Sequence, residues 1–120
     1  MLGKKGFILC VCQGTCPSFT KMDIFGVLSD IRREKLFDYV CLHPQLCVGD
    51  GEEFLKVLLF GGETDKLYIA ACDPHMQSKM FRDAFYAIGF NKDKYFALDI
   101  RNKTTEEAVA AIKELAEQNP

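Results

Sequence analysis

A chain of 120 residues that is 48% apolar and 27% charged has the composition of an ordinary globular protein, and its length predicts one domain spanning residues 1–120. The net charge of −2 lacks the basic excess that nucleic acids and anionic membranes attract. No run approaches the roughly 18 apolar residues that cross a bilayer, and the first apolar run is too short for a secretory signal. We therefore expect a cytoplasmic protein with neither nucleic acid nor membrane as a partner.

The first half of the chain predicts two strands that alternate with two helices. GFILCVC reads as a buried strand, and Ile24, Leu28 and Ile31 then recur at the i, i+4, i+7 spacing of one helix face. FDYVCLH predicts the second strand. Asp50 is expected to cap the second helix, which Gly61-Gly62 ends. The apolar face predicted for that helix consists of Phe54, Leu55, Val57, Leu58 and Leu59.

The second half repeats this alternation. KLYIAAC predicts a third strand, a helix follows that Gly89 ends, and KYFALDI predicts a fourth strand. Thr104 and Glu107 have the spacing of a capping box at the start of a last helix. The order β-α-β-α-β-α-β-α predicts an α/β fold: a single three-layer Rossmann-like or flavodoxin-like domain with a four-stranded, mostly parallel sheet. The order of the strands within the sheet stays open.

The six cysteines follow the predicted strand ends. Since parallel strands point the same way, their carboxyl ends meet at one edge, where open α/β sheets bind ligands. We therefore expect three segments to bring thiols to one region. Strand one supplies Cys10 and its exit loop Cys12 and Cys16, strand two ends at Cys41 before Cys47, and strand three ends at Cys72.

Metal binding is the favoured interpretation of these thiols, because disulfides are rare in a reducing cytosol. Cys12 and Cys16 fit one zinc knuckle, but Cys41 and Cys47 are too far apart for a second. A [4Fe–4S] cluster accepts more irregular spacing. A structural zinc site and a thiol-disulfide protein or redox sensor using the clustered cysteines remain alternatives, although the chain has no Cys-x-x-Cys.

Other polar residues receive simpler interpretations. His43 and His75 are expected to be solvent-facing or loop histidines, and Asp50, Asp73 and Asp99 to be turn or cap residues. The run Arg32-Arg33-Glu34-Lys35 predicts a solvated helix end, with the alternative that it steers an acidic redox partner.

The combined pattern resembles the N-terminal domain of the flavin-binding subunit of heterodisulfide reductase over nearly all of the chain. In that family a strand ends in Cys-x-Cys-Gly, a later cysteine precedes an acidic-glycine loop, and a third element reads Ala-Ala-Cys-Ser-Pro. The matching segments here are Cys10-Val11-Cys12, Cys47-Val48-Gly49-Asp50-Gly51 and Ala70-Ala71-Cys72-Asp73-Pro74, followed by Phe81-Arg82 and GFNKDKYFALDIRN. Gln13, Asp73 and His75 depart from the family pattern.

The resemblance implies one [4Fe–4S] cluster held by Cys10, Cys12, Cys47 and Cys72, with Cys16 and Cys41 as less certain ligands. The flavin domain and ferredoxin-type motifs of the full family subunit are missing, and no G-x-G-x-x-G fingerprint is present. The expected function is therefore electron transfer by a protein or subunit that is not catalytic alone. Its expected partner is a flavoprotein, a hydrogenase or formate dehydrogenase module, or another component of a heterodisulfide-reductase-like complex.

Overall fold

A computed structural model of the chain describes residues 3–11, 19–43, 46, 49–71 and 74–120. Four strands and four helices alternate in these residues, as the sequence predicts. A short 3₁₀ turn at Lys92–Lys94 precedes the last strand. The elements are β1 Lys4–Cys10, α1 Ile24–Glu34, β2 Tyr39–His43, α2 Gly49–Leu59, β3 Thr64–Ala71, α3 Pro74–Ile88, β4 Tyr95–Asp99 and α4 Thr105–Gln118.

The four strands form one parallel sheet in the order β2-β1-β3-β4. Cys10 lies in register with His43, and Ala71 lies in register with Asp99. The chain leaves β1 toward one side of the sheet for β2 and then crosses back to β3, so the direction of strand addition reverses between β1 and β3. This reversal is the topological switch point at which open α/β sheets bind ligands.

The helices cover both faces of the sheet and give the α/β layer fold its two cores. The first core cluster joins α1 and α4 to one face and includes Phe7, Leu9, Val11, Phe19, Val27, Ile31, Tyr68, Ala70, Ala108 and Ile112. The second core cluster joins α2 and α3 to the other face and consists of Ile8, Cys10, Leu46, Leu55, Leu59, Leu67, Ile69, Ala71, Phe81, Ala84 and Phe85. Neighbouring residues of β1 alternate between the clusters, as the two-residue period of a strand requires.

The structure confirms the predicted helix-end signals at Thr104 and Gly89 but not the predicted cap at Asp50. The capping box is present: the Glu107 amide donates to Thr104 Oγ1 at 3.2 Å, and the Thr104 amide donates to Glu107 Oε1 at 2.9 Å. Gly89, which follows α3, has φ +74°, the left-handed conformation that favours glycine after a helix. Asp50 was expected to be a cap, but α2 already begins at Gly49, so Asp50 lies inside the helix.

The predicted apolar face of α2 was wrong at Val57, which is 75% exposed. Leu55 and Leu59 are buried in the second core cluster, and Val57 lies two residues from each of them. At about 100° per residue, two residues carry a side chain to the opposite side of the helix. The run FLKVLL is apolar nearly all round, so its periodicity alone does not identify the buried side.

Candidate functional site

The carboxyl edge of the sheet at the switch point is the candidate site. Cys10, His43, Ala71 and Asp99 are the last residues of β1, β2, β3 and β4, so all four strands end at this edge. The helix after β1 packs on one face, and the helices after β2 and β3 pack on the other. The helices that follow β1 and β3 therefore lie on opposite faces of the sheet, which is the arrangement of a topological switch point.

Cys10 is the cysteine of this edge that the structure describes most fully. Its side chain is 6% exposed and belongs to the second core cluster, beneath α2 and α3. The Leu46 amide donates to Cys10 Sγ at a nitrogen–sulfur distance of 3.2 Å. An amide hydrogen bond stabilises negative charge on sulfur and so opposes the cost of burial, which suits Cys10 Sγ to the role of a metal-bound thiolate.

Leu46 is itself held in place by α2. Its side chain is buried in the second core cluster, and its carbonyl oxygen lies against Gly51 of α2. A Cβ at Gly51 would lie 2.1 Å from that oxygen, which is far inside van der Waals contact. Only glycine permits this approach between helix and loop. Gly51 thereby fixes the backbone whose amide reaches Cys10.

His43 is a residue whose burial the sequence analysis missed. It was expected to face solvent or to lie in a loop, but it ends β2 and is only 8% exposed. Its ring packs on Phe54 of α2, with ring centroids 4.9 Å apart, and it is the register neighbour of Cys10. The signal available in the sequence was its place as the last residue of the strand-like run FDYVCLH.

Cys41 lies deeper in the sheet than the sequence analysis expected. It was predicted to end the second strand, but β2 continues to His43, and Cys41 pairs with Ile8 rather than with Cys10. Partial burial against the second core cluster raises the pKa of its thiol. Its position and its pKa both favour a neutral packing residue over a thiolate at the sheet edge.

Cys12, Cys16, Cys47 and Cys72 lie outside the described residues, as does Asp73. The described residues on either side of these segments are buried in the two core clusters. Val11 and Phe19, which flank residues 12–18, are buried in the first core cluster. Leu46 and Ala71, which directly precede Cys47 and Cys72, are buried in the second. Within the described ranges alone, no three His, Cys, Asp or Glu side chains form a group that could hold a metal ion.

Asp99 ends β4 at the same edge, and its carboxylate is engaged by the turn that follows. The Arg101 guanidinium donates to Asp99 Oδ2 at 2.7 Å, and the Arg101 amide donates to Asp99 Oδ1 at 2.9 Å. The Arg101 side chain is the main cause of a lowered Asp99 pKa. These contacts agree with the turn role expected for Asp99.

A buried polar contact joins α3 to β4 beside the candidate site. Gln77 is 1% exposed, accepts a hydrogen bond from the Tyr95 hydroxyl at 2.9 Å, and donates to the Leu98 carbonyl at 3.4 Å. Neither side chain is marked by a sequence pattern, because a lone glutamine on a helix gives no signal of its partner. The contact fixes the start of α3, the helix that begins two residues after Cys72.

The chain matches no protein-family model, and none of the curated proteins compared with it is significantly similar. Among the helices that the structure describes, none is long and apolar enough to cross a membrane.

Proposed function

We propose that this protein is a small electron-transfer protein or subunit that carries one [4Fe–4S] cluster at the carboxyl edge of its sheet. The proposed ligands are Cys10, Cys12, Cys47 and Cys72, as the resemblance to the N-terminal domain of the flavin-binding subunit of heterodisulfide reductase implies. When bound, such a cluster accepts or donates one electron. The protein alone is not proposed to be catalytic; a flavoprotein, or a hydrogenase-type or heterodisulfide-reductase-type subunit, would be its partner.

One observation carries the proposal. Cys10 ends β1, Ala71 ends β3 and Leu46 follows the end of β2, and all three are buried in the second core cluster. The first is a proposed ligand, and the other two directly precede the proposed ligands Cys47 and Cys72. Three distant parts of the sequence, each containing a proposed ligand or directly preceding one, are therefore buried on the same face of the sheet.

The described residues also fit the chemistry of a cluster. Thiolate is the ligand that iron–sulfur clusters require, and Cys10 supplies it at a position shielded from water. The Leu46 amide beside Cys10 Sγ would stabilise negative charge on sulfur, which raises the reduction potential of such a centre. On the neighbouring strand, the register partner His43 is itself buried and packs on Phe54 of α2.

The test compares two cysteines of the same sheet face after reconstitution with iron and sulfide without oxygen. Cys10→Ser removes a proposed ligand, whereas Cys41→Ser is a matched control at a neighbouring, partly buried position. We expect Cys10→Ser to lose most of its iron and sulfide or to alter the electron paramagnetic resonance spectrum of the reduced protein. Cys41→Ser should retain both.

Three outcomes would contradict the proposal and separate its alternatives. Equal iron and sulfide together with an unchanged electron paramagnetic resonance spectrum in Cys10→Ser and wild type would remove Cys10 from the ligand set. Stoichiometric zinc without sulfide would support the structural zinc site. Reversible thiol oxidation without any bound metal would support the thiol-disulfide alternative.

A further inference from the structure

A groove beside the edge strand β4 lies outside the candidate cluster site. It has a volume of about 880 Å³ and runs between α3 and the outer edge of β4. Its apolar lining comes from aromatic side chains at the end of α3 and the start of β4 together with Ala97. These aromatic residues are Phe85, Tyr86, Phe90 and Tyr95.

The rim of this groove is positively charged although the whole chain carries a net charge of −2. Lys79, Arg82 and Lys92 line it, against the single carboxylate of Asp93. Within the part of the chain that the structure describes, Lys79 and Lys92 form no ion pair, and Arg82 approaches only its exposed neighbour Asp83, at 3.9 Å. The cations are therefore available to an external anionic group.

Within the described residues, β4 pairs with β3 alone, so its outer edge also offers backbone groups that no other strand engages. The Ile100 amide donates to the Ala71 carbonyl, so Leu98 and Ile100 turn their backbone groups toward β3. Because this direction alternates along a strand, the amide and carbonyl of Ala97 point away from β3. Ala97 lines the groove, so these groups face the same space as the cations. Backbone amides and carbonyls on the outer edge of a sheet can pair with a strand from another molecule.

We propose that this groove binds an extended, acidic segment of a partner protein, which adds to the sheet as a strand beside β4. An extended segment fits better than a small molecule, because Tyr86, one of the rings that line the groove, is 88% exposed to solvent. Ligand pockets instead enclose most of their ligand. Acidic side chains at alternate positions of the segment would meet Lys79 and Arg82.

A second copy of the chain is a poorer occupant on electrostatic grounds. Pairing of two β4 edges would bring the same rim of Lys79, Arg82 and Lys92 from both copies together, and like charges in contact oppose association. The groove also borders α3, which begins two residues after Cys72. That the partner is a redox protein rests on the proposed function, whereas the binding of an acidic strand does not.

The test measures binding of two synthetic peptides to the full chain by fluorescence anisotropy. One peptide alternates glutamate and valine over about seven residues, the length of an ordinary strand, and the other has glutamine in place of glutamate. We expect the glutamate peptide to bind at least about fivefold more tightly, with affinity falling as sodium chloride rises from about 0.05 to about 0.5 M. Equal binding of the two peptides, or no binding of either, would overturn the proposal.

Two variants test the place of binding. Arg82→Glu should weaken binding of the glutamate peptide about tenfold, whereas the matched reversal Arg32→Glu on α1 should change it less than about twofold. Ala97→Pro removes the outward amide and should abolish binding; proline is tolerated at edge strands where that amide faces solvent. Circular dichroism verifies its fold, and the Arg82 comparison remains decisive where Ala97→Pro does not fold.

Two further outcomes would overturn the proposal by identifying another occupant of the groove or another binding site. Sedimentation that shows a dimer lost in Arg82→Glu or Ala97→Pro would identify a second copy as the occupant and overturn the proposal. An Arg32→Glu effect as large as that of Arg82→Glu would move the site to α1, which the sequence had suggested as an alternative steering surface. Because peptide binding is measured separately from iron and sulfide content, its failure is distinguishable from failure of the proposed cluster.

Discussion

Replacing Gly51 with alanine tests the contact that holds Leu46 beside Cys10. The new Cβ would lie 2.1 Å from the Leu46 carbonyl oxygen. To reach an ordinary contact of about 3.5 Å, this main-chain atom must retreat by roughly 1.4 Å. Overpacking of this kind costs about 1–3 kcal/mol, and we take the upper end because a backbone atom cannot rotate away.

Helix propensity opposes this cost. Alanine is better than glycine inside a helix by about 1 kcal/mol, so the net expectation for Gly51→Ala is a destabilisation of about 2 kcal/mol. Gly26 is the matched control, because it is likewise the third residue of its helix. The three atoms nearest to a Cβ there all belong to the Asp23 side chain, the closest at 2.9 Å, and that carboxylate makes no capping hydrogen bond and can move. Gly26→Ala should therefore stabilise the protein by about 0.5–1 kcal/mol.

Urea unfolding followed by circular dichroism gives both free energies of unfolding. Gly51→Ala should also bind less iron after reconstitution, because displacement of Leu46 moves the amide that donates to Cys10 Sγ. A Gly51→Ala protein as stable as Gly26→Ala would refute the packing argument. A destabilised Gly51→Ala protein with full iron content would refute the link between Leu46 and the candidate site.

Three further changes test the fold and its ionisable groups. Thr104→Ala should lower the free energy of unfolding by about 0.5–2 kcal/mol in urea titrations. The Thr104 amide and, to a smaller extent, the Thr104 hydroxyl lower the pKa of Glu107. The stabilisation from Glu107 is therefore present above its unfolded-state pKa and is lost as the pH falls through its folded-state pKa. Thr104→Ala keeps the amide and removes the hydroxyl, so this acid-dependent loss should shrink only in part. Cys41 should react with iodoacetamide more slowly than unfolded protein at the same pH, because burial raises its pKa; equal rates by peptide mass spectrometry would contradict its burial. Leu55→Ala should lower the free energy of unfolding by about 2–5 kcal/mol, because Leu55 is buried. Val57→Ala, on the exposed side of α2, should lower it by less than about 0.5 kcal/mol. Similar losses in the two variants would contradict the assigned buried face of α2.

The order of elements could be predicted from the sequence because periodicity and helix-end signals agree along this chain. Thr104 and Glu107 specify a local structure whose partners are three residues apart, and the structure contains the capping box. The strand order was not predictable in this way. It depends on which face each helix covers, and that is decided by packing between α1 and α4 and between α2 and α3, which are distant in the sequence.

In the candidate site, too, features set by neighbouring residues could be predicted, whereas contacts between residues far apart in the sequence could not. That the strands are parallel followed from their alternation with helices, so the meeting of their carboxyl ends at one edge was predictable. The burial of His43 was not, because it depends on Phe54 of the next helix. The amide that reaches Cys10 comes from Leu46, 36 residues away, and no sequence pattern marks such a contact.

The most direct test of the proposed function is the iron and acid-labile sulfide content per chain of protein prepared without oxygen. We predict about four irons and four sulfides per chain, with a visible absorption that bleaches on one-electron reduction. Cys10→Ser should lose most of both elements or alter the electron paramagnetic resonance spectrum of the reduced protein. A chain that retains its fold and its reduced thiols but binds neither iron nor sulfide after anaerobic reconstitution would contradict the account.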